Sequence, residues 1–234
     1  MKYIYIIGFL LTTTIITVMA QGISIFSKAT QSAWYPAFLH PVIDSITRQD
    51  EPVKVLDIGT GPGTLPQLLI ERDSSLQVVG IDIDSAMIDE ARRRFAHPNV
   101  SYLYQSRNGA LDFEDKRFDV VTFCSVLFLL DDDTRTDLMK EAVRVLKPTG
   151  KIIILTPSGK KSILSSFVEV WEYPYSNNNF TFPIWKIATT GSARKWQQQG
   201  WLENYAQENR WQYQRVLTFN DNATIEIISN LNHD

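Results

Sequence analysis

Val55-Leu56-Asp57-Ile58-Gly59-Thr60-Gly61-Pro62-Gly63, followed by Gly80-Ile81-Asp82-Ile83-Asp84, is the part of the sequence that decides the fold. Three glycines at alternate positions between an apolar β-type run and a helical pattern mark a strand that turns sharply into a helix. Glycine is needed where backbone must bend tightly and approach a ligand with no Cβ in the way. The helix that begins near Thr64 presents free N–H groups and the positive end of its dipole to an anion. Asp82 closes the next strand, nineteen residues after Gly63. A carboxylate there accepts hydrogen bonds from both hydroxyls of a ribose, which points to an adenosine-type ligand.

Working outward, short β-rich runs alternate with helical patterns: Val53 to Ile58, Gln77 to Ile81, Val100 to Tyr104, Phe118 to Phe123 and Lys151 to Leu155. Between them Leu65, Leu68 and Leu69, then Ile88, Ala91 and Phe95, then Leu138, Ala142 and Val145 recur at helical spacing. This alternation predicts an α/β fold, a doubly wound, Rossmann-like, mostly parallel sheet with helices on both faces. Asp131-Asp132-Asp133-Thr134 supplies capping oxygens for the third helix, and Lys147-Pro148-Thr149-Gly150 is expected to end it. Residues 25–46 read as one or two short helices. Beyond Leu155 the pattern weakens into the aromatic stretch Trp171 to Trp185, which suits either a pocket lining or core. It then leans toward strand at Trp201 to Ala206, Val216 to Phe219 and Thr224 to Ile228.

The 234 residues are 44% apolar and 21% charged, enough to bury one sizeable core. The net charge of −3 and a pI near 5.7 give no general attraction to nucleic acid, so no nucleic-acid partner is expected. Arg92-Arg93-Arg94 reads as the basic end of a helix. Cys124 is the only cysteine, and His40, His97 and His233 lack ligand spacing, so no protein-bound metal is expected. Cys124 reads as a packing residue rather than a nucleophile.

The glycine loop, the Gly80-Ile81-Asp82-Ile83-Asp84-Ser85-Ala86-Met87-Ile88 run, Arg117 to Val121 and Glu141 to Lys151 occur together in an informative order. Across Trp34 to Pro157 the sequence resembles the class I S-adenosylmethionine-dependent methyltransferases, in particular the small-molecule branch of methyltransferase types 11 and 25. The resemblance implies S-adenosylmethionine as cofactor. Asp57, Gly59, Thr60, Gly61 and Gly63 would surround its methionine portion, Asp82 its ribose, and Ile83 and Met87 its adenine. Phe123 to Ser125, with Cys124 among them, would lie near the sulfonium. Asp84 is expected to cap the helix that follows. Where relatives often place an acid for the adenine amino group, this chain has Gln105-Ser106-Arg107-Asn108, with Asn108 as the stand-in. Where many carry histidines after the fourth strand, it reads Ser125-Val126-Leu127-Phe128, and no catalytic base is named.

The implied reaction is in-line methyl transfer to a small acceptor, with a lipophilic one in view. A non-catalytic module on the same fold and a nicotinamide-dependent oxidoreductase stay open as alternatives. The glycine spacing departs from Gly-x-Gly-x-x-Gly, which weighs against the latter. Finally, Tyr3 to Ala20 is an uncharged run of 18 residues, a borderline length for a span. Residues 1–22 are read as a hydrophobic N-terminal helix that anchors the chain in a membrane, with residues 23–234 as the methyltransferase domain. A cleaved signal and a buried helix are the other readings. A cytosolic cofactor favours a membrane-anchored protein whose domain faces the cytoplasm, with a soluble cytoplasmic chain as the alternative.

Overall fold

A computed structural model describes residues 25–46, 52–106 and 110–230. Residues 25–30 are helical, and α1 (Tyr35–Asp44) follows. Tyr35, Phe38, Leu39, Val42 and Ile43 recur at helical spacing and form its buried face. Pro36 occupies the first turn, where its missing N–H costs nothing. Pro41 lies inside the same helix, which continues through it to Asp44.

Then come β1 (Lys54–Ile58), α2 (Thr64–Arg72), β2 (Gln77–Asp82), α3 (Ser85–Arg94), β3 (Val100–Tyr104), β4 (Phe118–Cys124), α4 (Asp132–Val145) and β5 (Leu146–Pro157). Past three short helical turns, of which α5 (Ser166–Glu169) is the middle one, the chain continues as α6 (Thr181–Gln199), α7 (Trp201–Glu208), β6 (Trp211–Thr218) and β7 (Ala223–Asn230). The sheet order is β3-β2-β1-β4-β5-β7-β6. β1 to β5 pair in parallel and β7 runs antiparallel to both neighbours, giving a mixed, mostly parallel sheet flanked by helices. The strand order reverses between β1 and β4, which opens a crevice at the carboxyl ends of those strands.

Alternation along the strands fills two cores. Val55, Val78, Val120, Ile153, Leu155 and Ile225 pack on one face with Phe38, Leu69 and Phe182. Leu56, Ile81, Val121, Ile152, Ile154 and Ile228 pack on the other with Met139, Ala142, Trp196 and Leu202. Both faces are covered, as the near-continuous apolar strands predict.

Two local expectations are corrected. Trp201 to Ala206 is helical rather than extended: Gly200, at φ 57°, ends α6, and Leu202 and Ala206 bury one turn apart. The helix stop before Lys151 comes earlier, at Val145, because Leu146 already pairs with Phe118.

The expected membrane anchor is corrected too, together with the membrane partner and membrane localisation that went with it. Among the described residues no helix is long and apolar enough to cross a membrane. The longest, α6, has 19 residues but carries Lys186, Arg194 and Lys195 and buries Trp196 in the core. Residues 1–22, on which that expectation rested, lie outside the described residues, so no hydrophobic N-terminal helix is assigned.

Candidate cofactor and methyl-transfer site

β1 ends at Ile58, and the next backbone N–H groups, of Gly59 and Thr60, donate to the Ile81 carbonyl at 2.8 and 3.0 Å, tying the loop to β2. Gly59 and Gly63 adopt left-handed φ values of 76° and 78°. A Cβ on Gly59 would overlap Val126 Cγ2, and one on Gly63 would meet the Tyr102 ring at 2.6–2.9 Å. These contacts and conformations explain the glycines physically.

The Gly61 N–H donates to Asp82 Oδ2 and the Asp84 N–H to Asp82 Oδ1, both at 2.9 Å. Two N–H groups thus fix the carboxylate plane, and each oxygen keeps a lone pair for a ligand hydroxyl. Burial raises the Asp82 pKa, and those two N–H groups partly oppose the rise. Asp84 accepts from Ala86 N–H and caps α3, its simple structural role. Ile83 stands 47% exposed after the end of β2, leaving an apolar surface free for a ligand, whereas Met87 is buried. Asn108 lies outside the described residues.

Asp57 is buried beneath the loop and accepts from Thr122 Oγ1 at 2.7 Å. Burial pushes its pKa up to about 6, the Thr122 hydroxyl pulls the other way, and the Asp82 carboxylate adds to the rise. A buried carboxylate short of a cation suits an ammonium group. The same burial, with Asp57 nearby, raises the Cys124 thiol well above its usual range, so Cys124 is not an activated nucleophile.

Sequence reasoning missed the cover over this site. Tyr35 reaches it from α1: burial chiefly, and then Cys124 and Asp57, push its phenol pKa upward, with Arg94 opposing. The Phe26 ring approaches Gly61, and Arg94 donates to Thr30 Oγ1 at 3.2 Å, holding residues 25–30 against α3. Tyr35 precedes Asp57 by 22 positions with no motif between them. The reading of residues 25–46 as one or two short helices gave the ordered element but not its place over the loop.

Beyond β4, Ser125 takes φ 60°, an uncommon backbone state for a residue with a Cβ, and its buried hydroxyl has no partner. The Thr64 hydroxyl is likewise buried and unpaired, and that of Thr60, buried with no hydrogen bond of good geometry, lies close enough to Asp57 to oppose the rise in its pKa. Unpaired buried hydroxyls are costly unless a ligand completes them. These hydroxyls around a Cβ-free loop, with carboxylates below and beside it, fit an amino-acid-bearing adenosine cofactor. His40 is exposed on α1 and His97 stacks on Phe95, so neither serves the site. Among the described residues no group of three His, Cys, Asp or Glu side chains is arranged to hold a metal.

Residues 55–150 match the family model of the methyltransferase domain. The chain is 34% identical over 119 residues to a ubiquinone/menaquinone biosynthesis C-methyltransferase of Desulfotalea psychrophila, covering 50% of this chain and 47% of that protein. It is 32% identical over 123 residues to the N-demethylindolmycin N-methyltransferase of Streptomyces griseus, covering 52% and 51%. The chain therefore spans about half the length of the curated relatives it matches. A solved S-adenosylmethionine-dependent methyltransferase structure from Methanococcus maripaludis superposes with TM-score 0.66 at 19% identity, over 92% of this chain and 94% of that one. The plantazolicin methyltransferase BpumL in complex with SAH gives TM-score 0.57 at 15% identity, over 89% and 84%.

Proposed function

We propose that this chain, whose residues 55–150 match the family model of the methyltransferase domain, is a class I S-adenosylmethionine-dependent methyltransferase that transfers a methyl group to a small lipophilic acceptor, with residues 23–234 acting as one catalytic domain. The carrying observation is Asp82, held by the Gly61 and Asp84 N–H groups with lone pairs free beside the glycine loop. When bound, S-adenosylmethionine supplies a methyl group already activated on a sulfonium.

The chain's own residues bind and align. Asp57 holds the ammonium group, Asp82 the ribose hydroxyls, and Ile83 with Met87 the adenine. Asn108 is the proposed partner of the adenine amino group. Thr60, Thr64 and Ser125 offer their buried hydroxyls, while Tyr35, Cys124 and Ser125 wall the methyl end and exclude water. Alignment alone can supply much of the rate for an activated donor, so the lack of a histidine is compatible with turnover.

The lipophilic acceptor is supported by the chain leaving β5. Leu164, Phe167, Val168 and Trp171 fall on one helical face and are 54–84% exposed. Two of the relatives above act, by their names, in quinone biosynthesis and on an indolmycin precursor. The test is incubation of the full chain with labelled S-adenosylmethionine and two panels, hydrophobic quinols, phenols and amines against polar metabolites. Label entering only the hydrophobic panel is expected. Label entering only polar metabolites would overturn the acceptor class, and no binding of cofactor would overturn the whole reading.

A further inference from the structure

We infer that Arg135 is a positioning residue that fixes the wall of the methyl-transfer site by holding the loop between β4 and α4. Arg135 sits in the first turn of α4 and is 4% exposed. Its Nε donates to the Leu127 carbonyl at 3.1 Å, its Nη2 to the Leu130 carbonyl at 2.6 Å and its Nη1 to Asp132 Oδ1 at 2.7 Å. The guanidinium also lies 5.1 Å from the Trp196 ring centre and 5.3 Å from that of Trp201. Trp196 is itself anchored, its Nε1 donating to Glu226 Oε2 at 2.8 Å.

One of these contacts, to Asp132, lies within the first turn of α4, but those to the Leu127 and Leu130 carbonyls and to the two indoles reach outside that helix. Asp131 already caps α4 by accepting from Thr134 N–H at 2.9 Å. The guanidinium instead clamps two carbonyls of residues 127–130 and braces them against α6 and α7. Immediately upstream, Val126 packs against Gly59 of the cofactor loop, and Ser125 holds its left-handed backbone with an unpaired hydroxyl. A planar group donating in three directions while stacking on two indoles is a task that neither lysine nor an apolar side chain can perform. Arg135 thus carries the rigidity of the C-terminal helices to the segment facing the glycine loop.

The inference rests on the proposed site, so its test has a readout independent of cofactor. Cys124 is the only cysteine and adjoins this loop, which makes its alkylation rate a local gauge of loop opening. In the full chain, Arg135→Met is expected to raise the alkylation rate and to weaken SAH binding by calorimetry, each by about tenfold or more, because charge-assisted hydrogen bonds are lost. Arg135→Lys should fall between Arg135→Met and wild type, and it carries the same test if Arg135→Met does not accumulate. Met139→Ala, in the buried face of the same helix, should lower the melting temperature yet leave both readouts near wild type below the midpoint. Wild-type values in both Arg135 variants, or equal changes in Met139→Ala, would overturn the inference. If wild type fails to bind SAH, the methyltransferase reading falls while Cys124 alkylation still decides the role of Arg135.

Discussion

At the residue scale, Asp57 sets stability against function. Its pKa rises from 3.8 to about 6 in the folded chain, so between those values the folded state keeps a proton that the unfolded state has released. Linkage then makes the ligand-free chain lose stability as pH rises through that window, with a full cost of about 3 kcal/mol above it. Asp57→Asn removes the ionisation and keeps an oxygen for the Thr122 hydroxyl. The ligand-free variant should melt several degrees above wild type at pH 8, with the gap closing toward pH 4, while its SAH affinity drops. In wild type, SAH affinity should fall as pH is lowered below about 6, when Asp57, the proposed ammonium partner, becomes neutral. Equal melting temperatures at pH 8 would refute the assignment. Gly59 gives a second case. Gly59→Ala must adopt φ 76° and overlap Val126, for an expected loss of about 2–4 kcal/mol in urea unfolding. Adding Val126→Ala should recover the overlap but not the backbone part.

At the scale of elements, Trp34 ties the cover of the site to the C-terminal half. It is fully buried, its Nε1 donates to Thr181 Oγ1 at 3.0 Å, and its ring meets Phe38, Phe182, Trp185 and Phe219. Trp34→Ala should cost about 3–5 kcal/mol by chemical unfolding, and a smaller loss than Phe38→Leu would show that the cluster does not bear weight. This cluster also marks the limit of sequence reading. β1, β2 and β4 were legible to within one residue because strands buried on both faces are near-continuous apolar runs, whereas Val100–Tyr104, a mostly exposed edge strand, was legible to the residue from its β-branched and aromatic composition. Gly59 and Gly63 were legible because a tight turn imposes residue types at fixed spacing, and Asp82 because a carboxylate closing the next strand can accept from the loop's N–H groups. Trp201–Glu208 was misread because its aromatic composition outweighed the one-turn spacing of Leu202 and Ala206. Tyr35, Phe26 and Arg94 were missed because tertiary packing, with no local spacing rule, brings them over the loop. The stretch Trp171 to Trp185, open between pocket and core, is divided: Phe182 and Trp185 are core, while Trp171 and Tyr175 are almost fully exposed.

At the scale of the whole molecule, that division separates what the fold needs from what it leaves for function. The Leu164, Phe167, Val168 and Trp171 face contributes little to stability, since those side chains remain largely in contact with water. It follows β5, whose carboxyl end lies on the same edge of the sheet as the glycine loop and Ser125. Such a face can bind a lipophilic tail equally in the ground and transition states, which lowers KM without altering kcat. Phe167→Ser with Trp171→Ser should therefore leave stability within about 1 kcal/mol of wild type and leave SAH affinity unchanged. With a hydrophobic acceptor identified by the labelling experiment, the double variant should raise KM about tenfold or more and hold kcat, the loss of roughly 1.4 kcal/mol or more of apolar contact. A truncated acceptor lacking the tail should show no difference between the two proteins. An unchanged KM for the hydrophobic acceptor would detach this face from catalysis, and a fall in kcat with KM constant would place its effect on the chemical step instead.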